Sequence, residues 1–216
     1  TPPRPLSRAT VSAARRVGAT AYWSVFPPRL AGAEVVLVCV KDDAIEAVAH
    51  SLRPLLSDRR VVVLHVSGAR GASALKALRP FARAVGAMHP LQTFAREAPL
   101  AGALFAIDAD PAAARVAARM AKDLGGVAVR VGEPHRALYH AAAAIVANGL
   151  VALVETAARL LARAGIPRDR AVKGLVPLVR QVAGNIGALG IEGALSGPVA
   201  RGDRRTVAAH LRALRD

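Results

Sequence analysis

The residues best suited to chemistry stand where three short apolar runs of the sequence end. They are Val40-Lys41-Asp42, His65-Val66-Ser67-Gly68 and Met88-His89-Pro90-Leu91-Gln92. Three further polar residues interrupt a long apolar stretch later in the chain: Tyr139, His140 and Asn148. Histidine titrates near neutral pH and, like tyrosine, can donate or accept a proton during a reaction. Acid–base chemistry is therefore possible, although each group alone is equally consistent with a turn, because Ser, Gly and Asp commonly shape loops.

The apolar runs that precede these groups predict strands of a parallel sheet. Val35–Val40 and Val61–Val66 are continuous and largely β-branched, which is typical of strands buried on both faces. Further strands predicted near 84–88, 103–107 and 127–131 alternate with helices, one of them capped by Asp110, as in α/β folds. Ligands of such sheets bind beyond the carboxyl ends of the strands. The three polar groups should therefore converge on one edge, which favours a functional site over three unrelated turns.

Beyond Pro134 the sequence predicts only helices, over 135–165, 168–188 and 204–214. Pro177 should kink the second of these helices, and Asp203 should cap the third. The change of pattern at Gly132 predicts a domain boundary. We expect an α/β domain over residues 1–132 and an all-helical domain over residues 133–216.

The first predicted helix carries a polar stripe. At about 100° per residue, His140 and Asn148 lie roughly 80° apart, on one side of this helix. With Tyr139 they either pack against a neighbouring element or form the wall of a site. His140 could be a packing histidine or a general acid, and His89 could hold its turn or take part in catalysis. Asn148 could pair helices or bind a substrate.

The composition argues against several classes of function. The net charge is +15, but the arginines are scattered singly along predicted helices and aromatic residues make up only 3%, so nucleic-acid binding is not expected. The best candidate for a membrane span, residues 141–154, is shorter than the roughly 18 residues that a span needs, so no membrane insertion is expected. The single Cys39 excludes an intrachain disulfide and favours a reducing, cytoplasmic compartment. No H-x-H or H-E-x-x-H spacing indicates a metal site.

Five segments carry a resemblance to a known family: VCVKDDAI, HVSGA, MHPLQTF, LYHAAAAIVANGLVALVE and ALSGPVARGD. Through them the whole chain resembles the Rossmann-like reductases of the domain-of-unknown-function 2520 family. These are similar to pyrroline-5-carboxylate reductases and to deazaflavin-dependent NADP reductases. The resemblance implies an α/β, Rossmann-like NAD(P)-binding domain with a parallel sheet over 1–132. An all-helical domain of the 6-phosphogluconate-dehydrogenase-like type would follow over 133–216.

The resemblance also implies an activity. The chain would be an oxidoreductase that uses NADP or NAD to transfer hydride at a C=N or C=O bond of a small-molecule substrate. The reaction would take place in the cleft between the two domains, and the helical domain would also form a homodimer.

Individual residues receive roles from the same resemblance. The nicotinamide side of the cofactor pocket would be lined by Val40, Lys41, Asp42, His65, Ser67 and Gly68. The proton donor would be His140 or Tyr139, with His89 as a third candidate catalytic residue. The substrate would contact Gln92, Asn148, Ser196 and Arg201.

The chain departs from the family pattern at its beginning. Family members open with a strand, a glycine-rich turn, a helix and a second strand, whereas this sequence contains no G-x-G-x-x-G. We therefore expect a truncated Rossmann-like domain whose strand at Val35–Val40 has an unpaired edge. Arg4 and Arg8 would remain from a phosphate-receiving loop, and NADP or NAD binding by this chain alone is in question. The alternative is a non-catalytic nucleotide-binding or dimeric scaffold protein.

Overall fold

A computed structural model describes residues 30, 32–56, 60–95 and 98–215 of the chain. The strands form one sheet in the order in which they occur in the sequence: β1 (Val35–Val38), β2 (Val62–His65), β3 (Ala84–Pro90), β4 (Leu104–Ala109) and β5 (Val127–Arg130). Each strand overlaps an apolar run from which it was predicted. The local hydrophobic pattern is therefore sufficient to locate the sheet.

The helices follow the predicted alternation and then the predicted helical half. They are α1 (Ile45–Leu52), α2 (Pro111–Asp123), α3 (Arg136–Arg163), α4 (Arg168–Ala194), α5 (Gly197–Ala200) and α6 (Arg204–Ala213). The helical segment after β2 is a 3-10 helix, Ala72–Leu78. Shorter 3-10 turns at Asp42–Ala44 and Glu133–His135 lead into α1 and α3.

The sheet is mixed rather than purely parallel. Strands β1, β2 and β3 run parallel, β4 runs antiparallel to β3, and β5 runs parallel to β4. A parallel return needs a crossover connection, usually a helix. In the described part of the connection from β3 to β4 there is no helix, so β4 returns beside β3 in the opposite direction.

Each face of the sheet is covered by its own helices. On one face, β1, β2 and β3 pack with α1 and the 3-10 helix through Val38, Val63 and Leu75. On the other face, α2 presents a stripe of buried alanines four residues apart: Ala113, Ala117 and Ala121. These small side chains let the helix lie close to the sheet. The helix begins with Pro111 and is followed by Gly125 at φ +73°, a conformation suited to glycine.

Strand β1 lies at one edge of the sheet. Among the described residues it pairs only with β2, and Leu37 is 45% exposed. Beside the start of β1 is a cavity of about 1000 Å³ with apolar and arginine side chains in its wall, including Val35, Val116 and Arg115. A parallel edge strand with exposed apolar residues offers unpaired backbone groups.

The helical half also follows the sequence closely. Helix α3 ends before Gly165, which adopts φ +89°. The backbone of α4 leaves helical angles at Gly190 (φ +73°, ψ 179°), whereas the kink predicted at Pro177 stays a prediction. Asp203 caps α6 as predicted, because its carboxylate accepts the Thr206 N–H at 3.0 Å.

The chain divides into two compact units, one up to Val146 and one from Ala147 onward. The division falls inside α3, so the unit that holds the sheet also holds the first turns of that helix. The domain boundary predicted at residues 132 and 133 stays a prediction.

Two helical segments, Glu133–Arg163 and Arg168–Ala200, are long and apolar enough to cross a membrane by length and composition. These helices meet the criterion through their mean hydropathy, although polar residues such as Asn148 interrupt the apolar run. Core helices of soluble proteins pass the same test. The prediction that the chain does not enter a membrane therefore stays a prediction.

Candidate active site

His89, Tyr139 and His140 form a cluster in the first unit. His89 belongs to β3, while Tyr139 and His140 lie near the start of α3. The Nδ1 atom of His89 lies 2.9 Å from the Tyr139 hydroxyl oxygen, and the two rings meet edge to face with centroids 5.6 Å apart. The centroid of the His140 ring lies 6.3 Å from that of His89. The three residues predicted as catalytic are thus brought together.

Gly68 completes the cluster from the loop that follows β2. A methyl group on its α-carbon would lie 2.8 Å from His140 Nδ1 and 2.9 Å from His89 Nε2. Both distances are shorter than van der Waals contact, so only a glycine lets this loop approach the two rings. The glycine predicted to line the cofactor pocket therefore lies against the candidate catalytic histidines.

Burial sets the protonation of the cluster. The pKa of His89 is lowered to about 4. Burial is the largest cause, Arg136 and His140 act in the same direction, and Asp42 opposes them. Burial raises the pKa of the Tyr139 hydroxyl, while Arg136 acts in the opposite direction. At neutral pH His89 is therefore uncharged and Tyr139 is protonated. The hydroxyl also lies 3.4 Å from the His89 carbonyl oxygen. We assign its hydrogen to the shorter contact, with His89 Nδ1 as acceptor, which leaves the imidazole hydrogen on Nε2.

His65 supports the loop after β2 from below. Its side chain is 0% exposed; Nε2 donates to the Gly71 carbonyl at 2.9 Å, and Nδ1 accepts the Ser67 N–H at 3.2 Å. Burial lowers the pKa of His65, so the ring is neutral. The Ser67 hydroxyl oxygen accepts the N–H groups of Ala69 and Arg70 at 3.2 and 3.0 Å. Both side chains therefore shape the loop, and their predicted contact with a cofactor stays a prediction.

The other predicted residues of this unit lie at strand ends. Three of them are exposed between β1 and α1: Val40, Lys41 and Asp42. Gln92 follows β3 and holds its own loop, because its side-chain Nε2 donates to the Pro99 carbonyl at 3.0 Å and its Oε1 accepts the Thr93 N–H at 2.9 Å. Gln92 is thus tied into the loop, whereas residues 40–42 are accessible for binding.

Arg136 is a component of the site that the sequence analysis missed. It is the first residue of α3, is 1% exposed, and donates to four backbone carbonyl oxygens. The distances are 3.2 Å from Nε to Val131, 3.2 Å from Nη1 to Ser67, and 3.4 and 3.2 Å from Nη2 to Ala87 and Ala106. No signal in the sequence separates this arginine from the many others, because its partners are backbone atoms of distant segments.

The remaining predicted residues fall elsewhere. Asn148, Ser196 and Arg201 are exposed in the second unit, and their predicted contact with a substrate stays a prediction. Arg4 and Arg8 lie outside the described residues. Within the described ranges no group of three His, Cys, Asp or Glu side chains could hold a metal ion.

Comparison with known proteins supports the fold. Residues 103–216 match a domain of unknown function, DUF2520. Protein TM1727 from Thermotoga maritima is 26% identical in sequence, with a TM-score of 0.73 over 93% of this chain and 76% of that one. BF3122 from Bacteroides fragilis, assigned as an NADP oxidoreductase, is 23% identical with a TM-score of 0.67 over 94% of this chain and 76% of that one.

A pyrroline-5-carboxylate reductase from Coxiella burnetii is 16% identical, with a TM-score of 0.65 over 93% of this chain and 77% of that one. No curated protein matches the sequence. These likenesses confirm the predicted class, a Rossmann-like α/β sheet followed by a mostly helical part.

Proposed function

The chain belongs to the DUF2520 family, and we propose that it is an NAD(P)-dependent oxidoreductase that reduces a C=N or C=O bond of a small molecule. The observation that carries this proposal is the cluster of His89, Tyr139 and His140 around Gly68. Two structurally similar proteins, one named as an NADP oxidoreductase and one as a pyrroline-5-carboxylate reductase, support the general class of oxidoreductase. The cluster provides proton donors at the sheet edge where ligands of α/β folds bind.

Reduction of such a bond requires a hydride at carbon and a proton at nitrogen or oxygen. NADPH or NADH, when bound, supplies the hydride. The proton would come from this chain, through the protonated Tyr139 hydroxyl or the exposed His140 beside it. The Tyr139 hydroxyl has a single hydrogen, which His89 Nδ1 accepts here, so Tyr139 would have to leave that bond in order to protonate a substrate.

Several residues fit the nicotinamide end of the cofactor. Gly68 presents backbone without a side chain beside the two histidines, and residues 40–42 are exposed after β1. The sequence has no G-x-G-x-x-G, so these residues supply no turn for the pyrophosphate. We propose that Gln92, Asn148, Ser196 and Arg201 contact the substrate, with Arg201 suited to a carboxylate.

Binding and turnover test the proposal separately. NADPH and NADH would be titrated against this chain and against a version extended at its amino end, with the shift in Tm as readout. An increase in Tm for at least one protein and one cofactor is expected, since a ligand that binds only the folded state stabilises it. No shift for either protein with either cofactor would refute the oxidoreductase assignment.

Site variants then test the proton donors. His140→Ala and Tyr139→Phe should each lower turnover by roughly 10²- to 10⁴-fold, the usual contribution of general acid catalysis, and leave cofactor affinity unchanged. Unchanged turnover in His140→Ala would assign that histidine to packing and leave Tyr139 as the donor.

The second candidate is a non-catalytic nucleotide-binding or dimeric scaffold protein. The absence of the dinucleotide fingerprint from the sequence favours it. It predicts that the cofactor raises Tm, or that the protein dimerises, while no imine or carbonyl compound is reduced. Oxidation of NADPH with any substrate of either class would exclude it.

We also propose that the helical half forms a homodimer. Large apolar side chains of α3 and α4 are strongly exposed, for example Leu153 at 70% and Ile191 at 82%. Exposed apolar patches of this kind mark interaction surfaces. Either a second copy of the chain, in a cytoplasmic homodimer, or a membrane would cover this apolar surface. Sedimentation velocity distinguishes the two.

A further inference from the structure

The Arg136 guanidinium is a buried charge that forms no salt bridge within the described residues, although Asp108, Tyr139 and Glu133 favour its charged form electrostatically. In the described part of the chain no Asp or Glu forms an ion pair with it, and its N–H groups are taken up by four backbone carbonyl oxygens. A charge buried in this way is costly unless hydrogen bonds compensate it. Hydrophobic packing alone would be served better by an apolar side chain, so this arginine calls for a specific role.

Three of the four carbonyls that Arg136 holds adjoin the candidate site, among them that of Ala87, two residues before His89 on β3. Ser67 directly precedes Gly68, and Ala106 lies opposite His89 in the register of β3 and β4. Arg136 itself stands one helical turn before Tyr139 on α3. One side chain therefore connects the loop, the strand and the helix that form the cluster.

We propose that Arg136 is a positioning residue that holds His89 and Tyr139 in their hydrogen-bonded pair and, together with burial, opposes protonation of the His89 ring. The proposed function explains what the His89–Tyr139 pair would be used for, and only this part of the proposal rests on it. Its geometry stands on the four carbonyl contacts and the 2.9 Å contact between Nδ1 and the hydroxyl.

The charges around His89 act in the direction that the proposal requires. Arg136 and His140 oppose protonation of its ring, whereas Asp42 favours it, and Arg136 has the largest effect of the three. A protonated ring would carry hydrogen on both nitrogens and could no longer accept the Tyr139 hydroxyl. Loss of the Arg136 charge should therefore raise the pH at which His89 takes up its second proton, while burial keeps the ring neutral and the hydrogen bond unchanged at pH 7.

The test is an NMR titration of the histidine ring nitrogens, which needs no substrate or cofactor. It compares the wild-type chain with Arg136→Gln, which removes the charge, and Arg136→Lys, which keeps it. The midpoint of His89 should rise by about one pH unit or more in Arg136→Gln, the usual size of a close charge effect, and stay near the wild-type value in Arg136→Lys. Arg115→Gln removes an exposed arginine of α2 and should leave the midpoint unchanged.

Two results would overturn the proposal. One is an unchanged His89 midpoint in a folded Arg136→Gln; the other is an equal change in the Lys and Gln variants, which a purely structural role predicts. If Arg136→Gln does not fold, Arg136→Lys decides, because a His89 midpoint raised by about one pH unit in that folded, charge-retaining variant contradicts the proposal. The titration does not measure turnover. The His89 midpoints can therefore be interpreted even if the chain proves not to be an oxidoreductase.

Discussion

At the scale of single residues, the candidate site depends on an absent side chain as much as on its histidines. Gly68 lies so close to His89 and His140 that a methyl group would be within 2.9 Å of both rings. The loop that carries this glycine is held in turn by Ser67 and Arg136. Small changes in this loop should therefore alter the reactive groups directly.

Gly68→Ala is expected to displace one or both histidine rings. We expect turnover to fall by more than about tenfold and the free energy of unfolding to fall by roughly 1–3 kcal/mol, the usual cost of overpacking. Gly174→Ala, in an exposed part of α4 with no atom near the new methyl group, should instead be neutral or stabilising by up to about 1 kcal/mol. Urea unfolding and initial rates measure the two effects. Normal turnover in Gly68→Ala would show that the loop is not part of the site.

The depressed pKa of His89 predicts a stability that depends on pH. The folded protein binds this proton only near pH 4, whereas an unfolded chain binds it near the ordinary value of 6.5. The unfolded state therefore holds more protons between these values, so the free energy of unfolding should decrease as pH falls from about 6.5 to about 4. His65 acts in the same direction. Urea unfolding at pH 5 and pH 7 should show a smaller difference for His89→Gln than for the wild type; an equal difference would place the titration elsewhere.

The sequence could predict which residues take part but not how they are paired. His89 and Tyr139 are polar residues in apolar surroundings, which is a local signal. Their mutual contact joins positions 50 residues apart, and no spacing rule covers such a distance. Arg136 could not be found at all, since its role depends on backbone carbonyls that only the folded sheet brings together.

At the scale of elements, the local sequence pattern predicts the positions of strands and helices accurately, but it does not predict the direction in which a strand returns to the sheet. Apolar runs located every described strand, although only β2 is buried along its whole length and β5 is mostly exposed. The direction of β4 depends on how the chain returns from β3, which the apolar pattern does not encode. Asp110 shows the same limit: it precedes α2 as predicted, but its carboxylate accepts the Val85 N–H at 3.2 Å instead of capping the helix, and pairs with Arg79 at 3.1 Å.

Asp203, by contrast, is a cap whose removal can be tested. Its carboxylate accepts both the N–H and the hydroxyl of Thr206, and these bonds lower the pKa of Asp203. Asp203→Ala should lower Tm by a few degrees and reduce helical content, while Asp203→Asn should retain most of the cap, because asparagine is an equally good N-cap residue. Circular dichroism on heating measures both. Equal Tm values for the Ala variant and the wild type would show that α6 is held by packing alone.

At the scale of the whole molecule, the two units differ in how far their apolar side chains are exposed. The unit with the sheet has two clusters of buried apolar side chains, one on each covered face. In the part from Ala147 onward, Ala158 and Ala171 are buried, while large apolar residues on α3 and α4 are exposed. An isolated chain with this apolar surface would aggregate or associate, so a partner must occupy the surface.

A second copy of the chain is the occupant that we propose, and Leu153→Glu and Ile191→Glu test it. Each change places a charge on a strongly exposed position, so it should cost the monomer little and should dissociate a dimer through desolvation of the new carboxylate. Sedimentation velocity at micromolar concentration should give a dimer for the wild type and a monomer for the variants. Leu124→Glu, on an exposed residue of the other unit, should stay dimeric. A monomeric wild type that is recovered only with detergent would instead assign the two long helices to a membrane.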